Sequence, residues 1–117
     1  MKNDLSEKDL VIPKKQRIGE RLVVLDKNSF VYDIYNNQSE IRERFRHRYS
    51  FNMKYKDLVT KNGIKFAGSN YEKGIETHEI LEYSKNKFFV AVQFHPEFNS
   101  KIFKPHLLFN RFLSACL

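Results

Sequence analysis

Residues 88–98 read FFVAVQFHPEF, an apolar run that ends on His95, Pro96 and Glu97. The run is expected to be a strand of the kind covered on both faces, because it is apolar at consecutive positions, with much of that cover to come from elements outside this sequence and apolar edges left exposed here. A strand gives the residues at its end a rigid support, and Pro96 fixes its own φ near about −65°. With that bend His95 and Glu97 can turn to the same side, where the carboxylate would accept a hydrogen bond from Nδ1 of the imidazole. Such a pair orients the ring and raises the basicity of Nε2, the nitrogen left to take a nucleophile's proton. Spacing alone is nonspecific here, since a His-x-Glu triplet is also a common surface coincidence.

The neighbouring segments supply a frame for that strand. The polar residues SKNK at 84–87 join it to ETHEILEY at 76–83, and the two runs are expected to pair as a hairpin. IKFAGSN at 64–70 reads as a further strand running into a polar turn. Near the start, RLVVL at 21–25 is a short strand, followed by the capping residues Asp26, Asn28 and Ser29 and by Phe30, Val31, Ile34 and Tyr35 at helical spacing. Ser39 is expected to cap a second short helix through Arg46, after which YSFN turns extended. A third helix fits 53–62, with Tyr55, Leu58 and Val59 on one face and Gly63 ending it in a left-handed conformation. Phe109, Phe112, Leu113 and Cys116 recur at helical spacing and mark a closing helix with its apolar stripe turned inward. Alternating strands and helices, without repeats or low-complexity segments, favour an α/β or α+β layered architecture.

At 117 residues with 41% apolar content, the chain suits one domain with a modest core. Its first residues, MKNDLSEKDLVIPKKQRIGE, are dominated by charge, so 1–16 are read as a disordered or atypical lead-in. No apolar run approaches a membrane span and no secretory h-region is present, so a cytoplasmic location without membrane contact is expected. A single cysteine, Cys116, excludes an internal disulfide and Cys-rich metal sites. The net charge of +7 is of a size seen in nucleic-acid binders. Its densest cluster, RERFRHRY at 42–49, interleaves Arg42, Arg44, Arg46 and Arg48 with Phe45 and Tyr49. That pattern suits phosphate contacts and base stacking, and it equally suits a solvated basic face at a helix end.

FFVAVQFHPEF, together with IRERFRHRYSFN at 41–52 and LLFNRFL at 107–113, resembles the carboxy-terminal end of the glutaminase domain of CTP synthase, within the class I glutamine amidotransferases. The resemblance runs from about Arg17 to Leu117, with its segments in the family's order. It implies a partial class I amidotransferase domain of α/β class, the second half of a layered sheet with flanking helices. It also implies a ligase that makes CTP from UTP, with ammonia released from glutamine by a Cys-His-Glu triad. On that pattern His95 is the general base and Glu97 the residue that orients it. The arginine before the tyrosine of the basic segment, Arg48, is the contact to the glutamine substrate, a role suited to the forked guanidinium. The same resemblance accounts for the basic cluster without a nucleic acid.

Departures from the family matter equally. Where the family carries an apolar lead into its first strand, this chain has KKQRIG at 14–19. The glycine-flanked cysteine elbow and its oxyanion donor have no counterpart, and Cys116, expected to be buried on the inward face of the last helix, is not read as the nucleophile. No phosphate-binding glycine loop is found either, so ATP and magnesium would belong to a synthetase part outside this sequence, and no cofactor or metal is expected here. Whether this chain is itself an enzyme is therefore left open. The expected setting is a split or frameshifted gene whose other product supplies the rest of CTP synthase. The alternative is an inactive remnant that self-associates or binds a partner.

Overall fold

The structure, a computed structural model, describes residues 17–47, 49–72 and 74–117. The lead-in 1–16 and Arg48, for both of which the sequence raises expectations, lie outside the described residues. Among the described residues five strands form one antiparallel sheet: β1 Arg17–Leu25, β2 Glu40–His47, β3 Ile64–Glu72, β4 Ile75–Tyr83 and β5 Val90–Val92, in the spatial order β2-β1-β3-β4-β5. The helices α1 Phe30–Ile34, α2 Lys56–Lys61 and α3 Leu107–Cys116 join the sheet in a mixed α/β architecture. The core gathers Val23 and Leu25 of β1, Val31 and Ile34 of α1, Ile41 and Phe45 of β2, Ala67, Ile80, Phe94 and Leu108.

α1 begins as its sequence suggests. Ser29 caps it, accepting from the Tyr32 amide at 3.0 Å, and Asp26 accepts from Asn28 in the preceding turn. A remote group adds what local sequence does not reveal: the buried Glu82 carboxylate of β4 accepts from the amides of Phe30 and Val31 at 2.9 and 3.0 Å. Those amides have no partner within the helix, and a carboxylate there is favoured by both hydrogen bonding and the helix dipole.

The short helix expected from Ser39 through Arg46 is instead β2. After α1 the chain reverses through Asn36 and Asn37, both at positive φ, where asparagine is tolerated better than most residues. From Glu40 the side chains alternate: Ile41, Glu43 and Phe45 are buried, while Arg42, Arg44 and Arg46 are exposed. This period of two fits a strand lying with one face on the core, and it outweighs a single capping signal. The basic cluster is therefore an arginine-bearing face of an edge strand, not a helix end; charge on an edge also discourages pairing with other chains.

α2 follows a 3-10 turn, Met53–Tyr55, and stops at Asn62 and Gly63, whose φ is +92°, as expected from the glycine. The β4–β5 hairpin also forms as expected, with Ile80 opposite Val92 and Leu81 opposite Ala91. The two-faced apolar run 88–94 is left largely uncovered by this chain, as expected where most of its cover would come from elsewhere. β5 spans three residues at the sheet edge; Phe89, Ala91 and Gln93 are exposed and Phe94 alone is buried. β5 pairs with β4 alone, and no other strand flanks it among the described residues.

The stripe of α3, expected to turn inward, is corrected. Leu108 is the buried residue of this helix, while Phe109, Phe112, Leu113 and Cys116 are all exposed. α3 meets α1 through Arg111 with Asp33 and meets the hairpin through Phe112, edge-on to Phe88 at 5.5 Å, which leaves much of the stripe uncovered. Between the sheet and α3, a short loop is pinched by paired amide–carbonyl bonds between Lys101 and Lys104, with Ile102 and Phe103 at its tip almost fully exposed.

Candidate functional site

β5 and the turn after it position His95. The chain leaves the sheet at buried Phe94, whose ring packs edge-on against Phe45 at 5.7 Å. His95 then precedes a 3-10 turn, Pro96–Asn99, with the proline in the first turn, where its missing amide costs nothing. The His95 amide donates to the Arg44 carbonyl of β2 at 2.8 Å, tying the turn to the opposite side of the fold.

The imidazole Nδ1 lies 2.7 Å from Oε1 of Glu97. Sequence reasoning anticipates this pairing, because Pro96 allows the side chains on either side of it to converge. The hydrogen bond from His95 holds the Glu97 carboxyl below the usual carboxylate range. Glu97 therefore stays ionised through neutral pH and favours the proton on Nδ1, leaving Nε2 as the basic nitrogen. The His95 side chain is 38% exposed, so the imidazole is in part open to solvent. One support goes unread in the sequence: Phe98 stacks on the His95 ring, centroids 5.1 Å apart and planes at 24°. Its only signal is an aromatic three positions after the histidine.

Arg48, the expected contact to the glutamine substrate, lies outside the described residues. Cys116 sits in the last turn of α3, exposed rather than buried. Among the described residues no three His, Cys, Asp or Glu side chains gather as a metal site, and no helix is long and apolar enough to cross a membrane.

Beside His95 lies an apolar cavity of about 380 Å³, lined by Phe88, Phe89, Val92, Pro96, Phe109 and Phe112 among others. It joins the uncovered side of β5 to the stripe of α3. A second polar cluster, formed by the buried side chains of Tyr35, Glu43 and His106, lies behind the same turn and lines a hollow shared with Asn99 and Lys104. No sequence signal announces it, because Glu43 stands in a run of charges that reads as surface.

The sequence profile of the family Glutamine amidotransferase class-I matches residues 8–115. The chain is 43% identical over 102 residues to the CTP synthase of Latilactobacillus sakei subsp. sakei, a match covering 87% of this chain and 19% of that protein. It is 48% identical over 101 residues to the CTP synthase of Neorickettsia sennetsu, covering 86% of this chain and 18% of that protein. Among solved structures it is similar to the Trypanosoma brucei CTPS glutaminase domain with bound acivicin, with a TM-score of 0.80 and 29% identity. That match covers 98% of this chain and 43% of the solved one. The chain thus spans about a fifth of the length of the curated relatives it matches.

Proposed function

Because the chain belongs to the class-I glutamine amidotransferases and corresponds to part of a CTP synthase glutaminase domain, we propose that it supplies the base and orienting acid of a glutaminase site completed by another polypeptide. The observation that carries this reading is the 2.7 Å hydrogen bond between His95 Nδ1 and Glu97, set on a turn anchored to β2. Nε2 of His95 takes the proton of a cysteine thiol supplied by the second polypeptide. The thiolate attacks the glutamine carboxamide carbon, and the C–N bond breaks as the imidazolium returns its proton to the departing ammonia. Water, deprotonated by the same nitrogen, then hydrolyses the thioester to glutamate and frees the thiol. Arg48, by the family pattern, holds the α-carboxylate of glutamine. In the full assembly the ammonia would aminate UTP, with ATP and magnesium bound by the synthetase part.

The apolar cavity next to Pro96 supports the second half of this reading. A chain that matches 43% of a solved glutaminase domain, yet leaves Phe89, Phe109 and Phe112 in solvent, has a surface of the chemistry that the remainder of such a domain would cover. Coexpression with a polypeptide carrying the cysteine elbow and the synthetase part tests both points. Glutamine-dependent CTP formation is expected, with His95→Ala lowering it by about 10²–10⁴-fold and Glu97→Gln by less. Ammonia-dependent synthesis should survive both substitutions, because added ammonia bypasses the triad. Glutamine-dependent turnover unchanged by His95→Ala would sink the assignment.

A further inference from the structure

Glu43 has no part in the glutaminase steps, yet it is one of the most deeply buried charged residues of the chain, 3% exposed. Three donors converge on its carboxylate. Tyr35, at the end of α1, donates its hydroxyl to Oε1 at 3.2 Å; His106 Nε2 lies 2.6 Å from the same oxygen; Asn99 Nδ2 donates to Oε2 at 3.3 Å. The Leu108 amide donates to Nδ1 of His106 at 3.1 Å, so that nitrogen keeps its lone pair and the ring proton sits on Nε2, directed at Glu43. Burial, and then the charge and hydrogen bond of Glu43, push the Tyr35 phenol far above its ordinary range, so it remains a donor.

The placement of this cluster is more telling than its composition. Asn99 is the last residue of the turn whose entry carries His95. At the other end of that turn, the His95 amide is held by the carbonyl of Arg44, the residue after Glu43. Consecutive residues of β2 thus grip the segment His95–Asn99 at both ends, one through its backbone and one through its side chain. The Ser100 hydroxyl, next along, accepts from the His106 amide at 3.0 Å and ties the exit of the turn to the start of α3. A buried polar cluster is seldom worth more to stability than apolar residues of the same volume. Apolar residues, however, could not hold Asn99.

We propose that Glu43, His106 and Asn99 are positioning residues that keep the turn His95–Asn99 in the shape that pairs His95 with Glu97. The proposal rests on the reading of His95 as the base only for its consequence in turnover, and its first test is independent of that reading. In the ¹⁵N-labelled chain, long-range ¹H–¹⁵N spectra of the imidazoles at neutral pH report which nitrogen of His95 carries the proton. The expected result is Nδ1 protonated and Nε2 bare. Asn99→Ala, at an exposed side chain, and Glu43→Gln, whose single amide oxygen cannot accept from both His106 and Asn99, should each move that proton toward Nε2. In the coexpressed assembly, Asn99→Ala should lower kcat for glutamine hydrolysis by about 10-fold at unchanged KM, the scale on which orienting partners of a functional imidazole act elsewhere.

A His95 proton that shows no preference for Nδ1 in the unaltered chain would overturn the proposal. So would an unchanged tautomer in both variants alongside a lower Tm, because the cluster would then serve only the fold. Should Glu43→Gln not fold, Asn99→Ala decides alone. A shifted tautomer with undiminished turnover would uphold the positioning and count against His95 as the base, so the two readings fail separately.

Discussion

At the start of α3 the chain encloses a carboxylate, an imidazole and a phenol, whereas farther along the same helix Phe112 and Leu113 stand half in water. This reverses the usual sorting of polar and apolar groups. The two regions differ in whether their interactions are complete. Around Glu43 every described donor has its acceptor, and removing one leaves a buried carboxylate short of a partner. Along the outer stripe of α3 the rings have found only part of their cover, so removing one disturbs little within the chain. Stability should accordingly reside in the polar cluster and association in the apolar stripe.

The largest effect that could break this contrast is expected from His106→Ala. It removes the closest donor to the buried carboxylate and the cap of α3 together, and should lower unfolding stability by about 3 kcal/mol. Equilibrium urea denaturation measures it; a loss below about 0.5 kcal/mol would show the cluster to be wetter than its burial indicates.

Tyr35→Phe should cost less, about 1 kcal/mol at neutral pH, for one neutral donor lost to Glu43. Its pH dependence sharpens the comparison. Because the folded phenol ionises above its unfolded value, its contribution is full below about pH 10 and is lost as pH rises beyond that. The fall in urea midpoint above that pH should therefore be shallower in Tyr35→Phe than in the unaltered chain.

The smallest stability change is expected at Leu113→Glu, within about 0.5 kcal/mol, since this side chain is 60% exposed. Light scattering should nonetheless fall, because a charge interrupts the apolar stripe on which separate copies of the chain would otherwise stick. A large loss of stability with no change in scattering would place Leu113 in the core and erase the distinction.

One part of this picture is readable in the sequence because its signals are local. Ser29 ahead of α1, Gly63 behind α2 and the polar link between β4 and β5 each act within a few residues, and so does the proline that lets His95 meet Glu97. β2 reads wrongly as a helix when one serine that could cap it is weighted above a period of two in IRERFRH. The apolar stripe of α3 misleads for a different reason: its composition reports that it prefers to be covered, and cannot report whether this chain does the covering. Glu43 and Glu82 are invisible because their partners lie far along the chain, on α1, α3 and the turn after β5. Charge reads as surface until the fold brings donors to it.

The pinched loop between the turn and α3 has a use of its own. Lys101 and Lys104 close its neck, and Ser100 and His106 secure the chain on either side, so the tip at Ile102 and Phe103 is mechanically isolated from the residues it connects. Sequence length can change there without lengthening the path between Asn99 and α3. That makes the tip the natural place to splice in a peptide tag or a fluorescent label, a handle by which the chain can be followed through assembly while the neighbouring turn keeps its shape.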